Sequence, residues 1–96
     1  MIQKTYFKTK DYCKVKFIVK PEEAETVAIA GLNNDWQTLL EMKRKKDGTF
    51  SCEVSLPKDS QHEFKYLVDE KEWIIEPDAD EQTRNIFGTT NSVIVL

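Results

Sequence analysis

Between residues 13 and 20 apolar and lysine positions alternate: Cys13, Val15, Phe17 and Val19 take one phase, and Lys14, Lys16 and Lys20 the other. A period of two puts successive side chains on opposite faces, so this stretch predicts a strand with one wet face. Residues 21–25 then read as a connector, and residues 26–30 as a second, shorter and less amphipathic strand. Leu39, Leu40 and Glu41 fit either a helical turn or a lead into the next strand. Residues 42–56 read as a hairpin whose turn is Asp47-Gly48, because both residues tolerate positive φ. On its return strand Phe50, Cys52, Val54 and Leu56 point one way, and Thr49, Ser51, Glu53 and Ser55 the other. Phe64, Tyr66 and Val68 form the inward phase of a further strand, with Lys65 and Leu67 on the opposite face. Residues 69–72 turn the chain into Trp73-Ile74-Ile75. Residues 76–81 and 85–91 read as loop, and residues 93–96 as a closing strand.

Six or seven short strands, evenly spaced and separated by turn signals, predict an all-β antiparallel sandwich. The 96 residues suit a single domain spanning 1–96, with room for one core and little for a deep pocket. The N-terminal ten residues are expected to fray. The composition, 40% hydrophobic and 32% charged, is that of an ordinary globular chain. No apolar run approaches a membrane span, and the lysine-dotted start has no signal-peptide stretch, which leads to an expected cytoplasmic location.

Net charge is −3, with residues 1–50 at +3 and residues 51–96 at −6. That balance lacks the basic field that nucleic acid binding needs. The one basic run, Lys43-Arg44-Lys45-Lys46, reads as a solvated strand edge where lysines block edge-to-edge pairing. Two cysteines make no disulfide framework. Cys13 and Cys52 both fall on the apolar phase of their strands and are expected to be buried and reduced.

Catalytic chemistry finds little support. The one histidine, His62, has no identifiable nucleophile or orienting carboxylate nearby and reads as a surface residue. Carboxylates are plentiful, but a glycosidase pair needs a water-excluding cleft that a domain this small does not offer. Asp78-Ala79-Asp80-Glu81 opens like a calcium loop, yet it lacks the glycine and distal glutamate of that pattern and reads as solvated loop. No metal or cofactor is called for.

What remains is aromatic. In Val27-Ala28-Ile29-Ala30-Gly31-Leu32-Asn33-Asn34-Asp35-Trp36 a strand ends at a glycine, and a polar turn then delivers a tryptophan. A tryptophan held on a loop is either folded back as a lid or offered to a ligand. Trp73 also sits at a strand–loop junction. A sugar ring has an apolar C–H face that an indole covers, and a rim of hydroxyls that a lysine or an asparagine can bond. Trp36, Trp73, Lys65 and Asn91 would suit a neutral oligosaccharide. The competing reading has one or both indoles capping the sandwich as core.

Four stretches in order, "VAIAGLNNDW", "DGTFSCEVSLP", "HEFKYLVDEKEWIIEPDA" and "NIFGTTNSVIVL", resemble the glycogen-binding carbohydrate-binding module of family 48. This is the early-set domain that precedes the barrel of isoamylases and branching enzymes, and the glycogen-binding domain of AMP-activated kinase beta subunits. The likeness runs from about Val15 to the C-terminus. It implies an immunoglobulin-like early-set sandwich that binds α-1,4-linked glucan, as glycogen or maltooligosaccharide, without catalysis. A glycogen-metabolising enzyme would be its further partner. It carries over Trp36 from the Gly-x-Phe-Asn-x-Trp turn, Lys65 from the Tyr-Lys-Phe strand, Trp73 from the tryptophan after the Val-Asp-Gly turn, and Phe87, Thr89 and Asn91 from the last loop. The chain departs from the pattern where Asp69-Glu70-Lys71-Glu72 is one residue longer and lacks glycine, and where Phe87 replaces a leucine. Enzyme-attached members of the family include packing domains, so a protein-interaction or structural module that has lost the sugar is the alternative.

Overall fold

A computed structural model describes all 96 residues. In chain order the elements are β1 (Ile2–Tyr6), β2 (Tyr12–Val19), β3 (Val27–Ala30), a 3-10 turn (Leu32–Asn34), β4 (Leu40–Glu41), β5 (Lys43–Arg44), β6 (Phe50–Pro57), β7 (Gln61–Val68), β8 (Glu72–Ile74), β9 (Glu81–Arg84) and β10 (Thr90–Val95). One sheet runs β1-β2-β6-β5, and the other β4-β3-β7-β10-β9, with β8 also paired to β7. Every pairing is antiparallel. The all-β antiparallel sandwich that the alternation predicts is the fold.

Its core is filled by the apolar phases read from the sequence. Cys13, Val15 and Phe17 of β2 and Phe50 and Leu56 of β6 face Val27 and Ile29 of β3, Phe64, Tyr66 and Val68 of β7, and Ile94 of β10. Phe64 is the hinge of this packing. It meets Phe17 across the sandwich edge-on at 5.2 Å and Tyr66 along its own strand at 5.8 Å. Such tilted ring pairs contribute about 0.5–1.5 kcal/mol each beyond the area they bury.

Three local readings need correction. Ile2–Tyr6 does not fray; it pairs as an edge strand with β2, its register running from Ile2 opposite Phe17 to Tyr6 opposite Cys13. The hairpin read over residues 42–56 is present: Lys43 and Arg44 pair with Ser51 and Phe50, and the turn closes through Lys45 N–H to Thr49 O at 2.7 Å and Gly48 N–H to Lys45 O at 3.1 Å. Leu40–Glu41 pairs with β3, and only Lys43–Arg44 pairs with β6, so the chain changes sheets at Met42. Met42 is buried at that crossing and its N–H donates to Val27 O at 2.9 Å. The loop expected through residues 76–91 contains a strand, β9, and Asn91 lies inside β10 rather than before it. β9 escapes the periodicity because Glu81-Gln82-Thr83-Arg84 is an edge strand with no apolar phase.

The third correction is Glu76: it lies in the stretch read as loop, yet it is only 1% exposed. Its Oε1 accepts the Tyr66 hydroxyl at 2.7 Å and the Met1 ammonium at 2.7 Å. Its Oε2 accepts Asp78 N–H at 2.9 Å, and its own N–H donates to Ser92 Oγ at 2.7 Å. A buried carboxylate persists only when its oxygens are satisfied in this way. The same burial, with Glu76 as bond partner, holds the Tyr66 phenol far above its ordinary range. Asp80 is likewise occupied, accepting Lys4 Nζ and Val95 N–H at 2.7 Å each.

Both cysteines are free; Cys13 is fully buried and Cys52 half-buried. Burial pushes the Cys52 thiol up to about 11. Little thiolate therefore exists at neutral pH, and the thiolate is the reactive form. Neither thiol is expected to react with a disulfide reagent at pH 7–8 until urea unfolds the domain; fast native-state labelling would contradict the burial. Tyr66→Phe strips one donor from the buried Glu76 carboxylate and is expected to destabilise by about 1–3 kcal/mol, read from the urea midpoint. An unchanged midpoint would show that the bond contributes nothing net.

Candidate functional site

Strand β7 positions the site through its outer face. Phe64, Tyr66 and Val68 point inward, so Glu63, Lys65 and Leu67 point out. One edge of β7 is paired with β3 from Lys65 to Val68. The other edge is shared: β10 pairs with Gln61–Phe64, and β8 with Tyr66–Val68. Lys65 sits where that edge changes partner, and there the outer face is open.

Trp73 reaches this face through register. Val68 is opposite Glu72, and Leu67 opposite Trp73, so Trp73 shares the face of Leu67 and Lys65. The longer turn, Asp69-Glu70-Lys71, preserves this phase without a glycine. Asp69 and Glu70 take φ of 52° and 59°, a conformation that side chains disfavour. Asp69 is secured by its partners: its carboxylate accepts Glu25 N–H at 2.7 Å and Thr26 N–H at 2.9 Å, and its own N–H donates to Thr26 O at 2.9 Å. The bonds from Thr26 and Glu25 lower the Asp69 carboxyl pKa.

Trp36 arrives by a strained turn. Asn33 and Asn34 have φ of 58° and 59°, and Gly31 has φ of 104°. The turn closes through Gly31 N–H to Asp35 O at 2.9 Å and Asp35 N–H to Leu32 O at 3.2 Å. The Asp35 carboxylate accepts the N–H groups of Thr38 at 3.0 Å and Gln37 at 3.1 Å, which lowers its pKa. The indole is folded back over Gly31. A β-carbon placed there would stand 2.7 Å from the Trp36 ring and 2.5 Å from Glu63 O. Trp36 still keeps 38% of its surface exposed, and Trp73 47%. It is thus both lid and plate: one edge rests on backbone and the remainder faces out.

The β9–β10 hairpin supplies the opposite wall. Asn85 organises its tip: the side-chain oxygen accepts Phe87 N–H at 3.0 Å and Thr89 N–H at 3.2 Å, and Gly88 closes the turn at φ 80°. This leaves Ile86 94% and Phe87 83% exposed. A chain of polar contacts then crosses the groove floor. Lys65 Nζ donates to Thr89 Oγ1 at 3.1 Å, and Asn85 Nδ2 to the same oxygen at 2.6 Å and to Asn91 Oδ1 at 3.0 Å. Asn91 Nδ2 donates to Glu63 Oε1 at 3.2 Å.

The six residues singled out in the sequence, Trp36, Lys65, Trp73, Phe87, Thr89 and Asn91, therefore line one open groove of about 1170 Å³. Asn91 differs from expectation in being only 5% exposed, at the floor rather than the rim. Nine further residues line the groove without having been singled out, Glu63, Asn85 and Arg84 among them. Glu63 shares the phase of Lys65, a signal that was available. Asn85 stands three residues before Gly88, the spacing of an Asx-initiated turn. Arg84 lies in the strand that periodicity did not show.

The sequence from residue 13 to 96 matches the family described as the glycogen recognition site of AMP-activated protein kinase. The chain belongs to that family. No curated protein sequence matches it. Among solved structures it is similar to the enterobactin esterase of Shigella flexneri, with TM-score 0.79 and 9% identity over 99% of this chain and 32% of the esterase. It is similar also to the ferric enterobactin esterase of Salmonella typhimurium, with TM-score 0.77, 10% identity, and coverage of 99% and 34%. The chain thus spans about a third of either esterase, and at such identity the likeness concerns the fold alone.

Gly31→Ala is expected to cost more than about 1 kcal/mol, since alanine is strained at positive φ and its methyl group collides with the Trp36 ring. The Trp36 emission should shift to the red in the same variant. Native emission and an unchanged melting temperature would show that the indole does not rest on Gly31.

Proposed function

We propose that the domain binds α-1,4-linked glucan non-catalytically, stacking sugar rings on Trp36 and Trp73 and bonding their hydroxyls at Lys65, Thr89 and Asn91. The observation that supports this is the convergence of all six family-matched residues on one groove, with two half-exposed indoles beside a row of polar groups. Family membership supports carbohydrate as the ligand class. The chemistry fits. Indole planes cover the C–H faces of successive glucose units. Lys65 Nζ has donors beyond the one given to Thr89, and the Thr89 hydroxyl and Asn91 amide offer further donors and acceptors at fixed positions. Phe87, exposed on the hairpin tip, adds a third apolar contact from the facing wall. A glycogen-metabolising enzyme is the natural company of such a module.

The second reading is a protein-docking face that has lost the sugar. It takes support from Ile86 and Phe87, two adjacent large apolar side chains exposed at the hairpin tip.

A shallow sugar face of this kind gives micromolar to millimolar affinity, about −8 to −4 kcal/mol. Intrinsic fluorescence should shift on adding maltoheptaose and stay flat with a β-1,4-glucan of equal length. Trp73→Ala should leave stability within about 1 kcal/mol, as at an exposed position, whereas Trp36→Ala, losing the Gly31 contact, should cost about 1–2 kcal/mol. Either change should weaken maltoheptaose by about fivefold or more, the equivalent of about 1 kcal/mol of stacking. Lys65→Ala should weaken binding while leaving the melting temperature in place. A wild-type protein that ignores maltoheptaose and runs unretarded through a glycogen gel would sink the glucan reading in favour of protein docking.

A further inference from the structure

The Trp36 turn has one hydrogen bond to the sandwich beneath it that depends on a protonation state. His62 lies at the start of β7, on the inward phase, opposite Ile94 of β10. Its Nδ1 accepts the backbone N–H of Asn33 at 3.2 Å, and its Nε2 lies 2.9 Å from Ser60 Oγ. An acceptor at Nδ1 requires the neutral imidazole with its proton on Nε2. Nε2–H then donates to Ser60 Oγ, and the Ser60 hydroxyl donates onward to Pro57 O at 2.6 Å. Both ring nitrogens are thereby committed, and Asn33, the residue they hold, is the first of the two left-handed asparagines that turn the chain toward Trp36. Protonation would set a donor at Nδ1 against the donor of Asn33.

We propose that His62 is the positioning residue of the Trp36 loop, and that its protonation frees the loop and weakens the binding of glucan in mildly acidic solution; the second half rests on the glucan reading above. Three of the charged groups on the surrounding elements are engaged elsewhere. Glu63 is on the opposite face and bonded to Asn91. Asp35 is bonded to Gln37 and Thr38, and Lys58 to Phe7 O. Asp59 lies in the β6–β7 turn. Burial alone acts on the imidazole, and it lowers the pKa from the ordinary value of 6.5. The sign follows. The neutral form, with the loop in place, prevails above the ordinary histidine range, and the contact is lost as pH falls below it. A sugar that needs Trp36 in position favours the neutral form further, so its affinity must fall with pH by up to one proton's worth.

The test uses the full chain from pH 8 to 4.5, with circular dichroism confirming that it stays folded. Without sugar, a Trp73→Phe background leaves Trp36 as the lone indole, and its emission should titrate with a single proton. His62→Asn, whose side-chain oxygen reaches the Nδ1 position, should abolish that titration. With maltoheptaose, wild-type affinity should fall about fivefold across the range, the equivalent of one hydrogen bond of about 1 kcal/mol. His62→Leu should be weak at every pH, and His62→Asn should rescue it and be flat. If Trp36 titrates but maltoheptaose never binds, the positioning role stands and the glucan reading fails. A Trp36 signal that is flat in the wild type, or that titrates equally in His62→Asn, overturns the proposal.

Discussion

Strand β7 has two faces and two edges, and all four are in use. Its inner face contributes Phe64, Tyr66 and Val68 to the core, and its outer face gives Glu63 and Lys65 to the groove. Its edges hold β3 on one side and both β10 and β8 on the other. Since side chains alternate at a period of two, shifting β7 by one residue would put Lys65 in the core and Phe64 in solvent. The fold and the site are therefore locked to the same register. Phe64 secures it: a ring packed edge-on against Phe17 and Tyr66 has no room for a lysine.

Around this frame three short polar side chains perform one task at three places. Asp35 holds the turn that carries Trp36, Asp69 the turn that sets the phase of Trp73, and Asn85 the tip that lifts Phe87. Each accepts two backbone N–H groups and so stabilises a conformation with positive φ nearby. The aromatic groups of the groove are thus mounted on turns closed by hydrogen bonds. The buried Glu76 anchors the far end of the same sheet by joining Tyr66 and the residues leading into β9.

The backbone alone would not reveal any of this. A sandwich of nearly the same shape occurs in two esterases at 9% and 10% identity. What distinguishes this domain is which side chains its outer face and turns present, since one backbone shape can carry unrelated sites.

Periodicity along the chain was enough to determine the sandwich, the core phases of β2, β6 and β7, and the outward direction of Lys65, because alternation is a local property that one strand displays by itself. Residue chemistry pointed to Trp36, Trp73, Lys65 and Asn91, and the family resemblance added Phe87 and Thr89. Tertiary structure decided the rest. β9 has no apolar phase, so only its pairing with β10 makes it a strand. Glu76 looks like any loop acid until Met1, Tyr66 and Ser92 close around it from distant positions. Met42 marks a change of sheet just before the β5–β6 hairpin, which no local pattern records. His62 looked like a solitary surface histidine because its partners, Asn33 and Ser60, acquire meaning only when the loop before Trp36 folds over the start of β7. Local alternation records which face a residue takes; it carries no record of which distant donor meets it there.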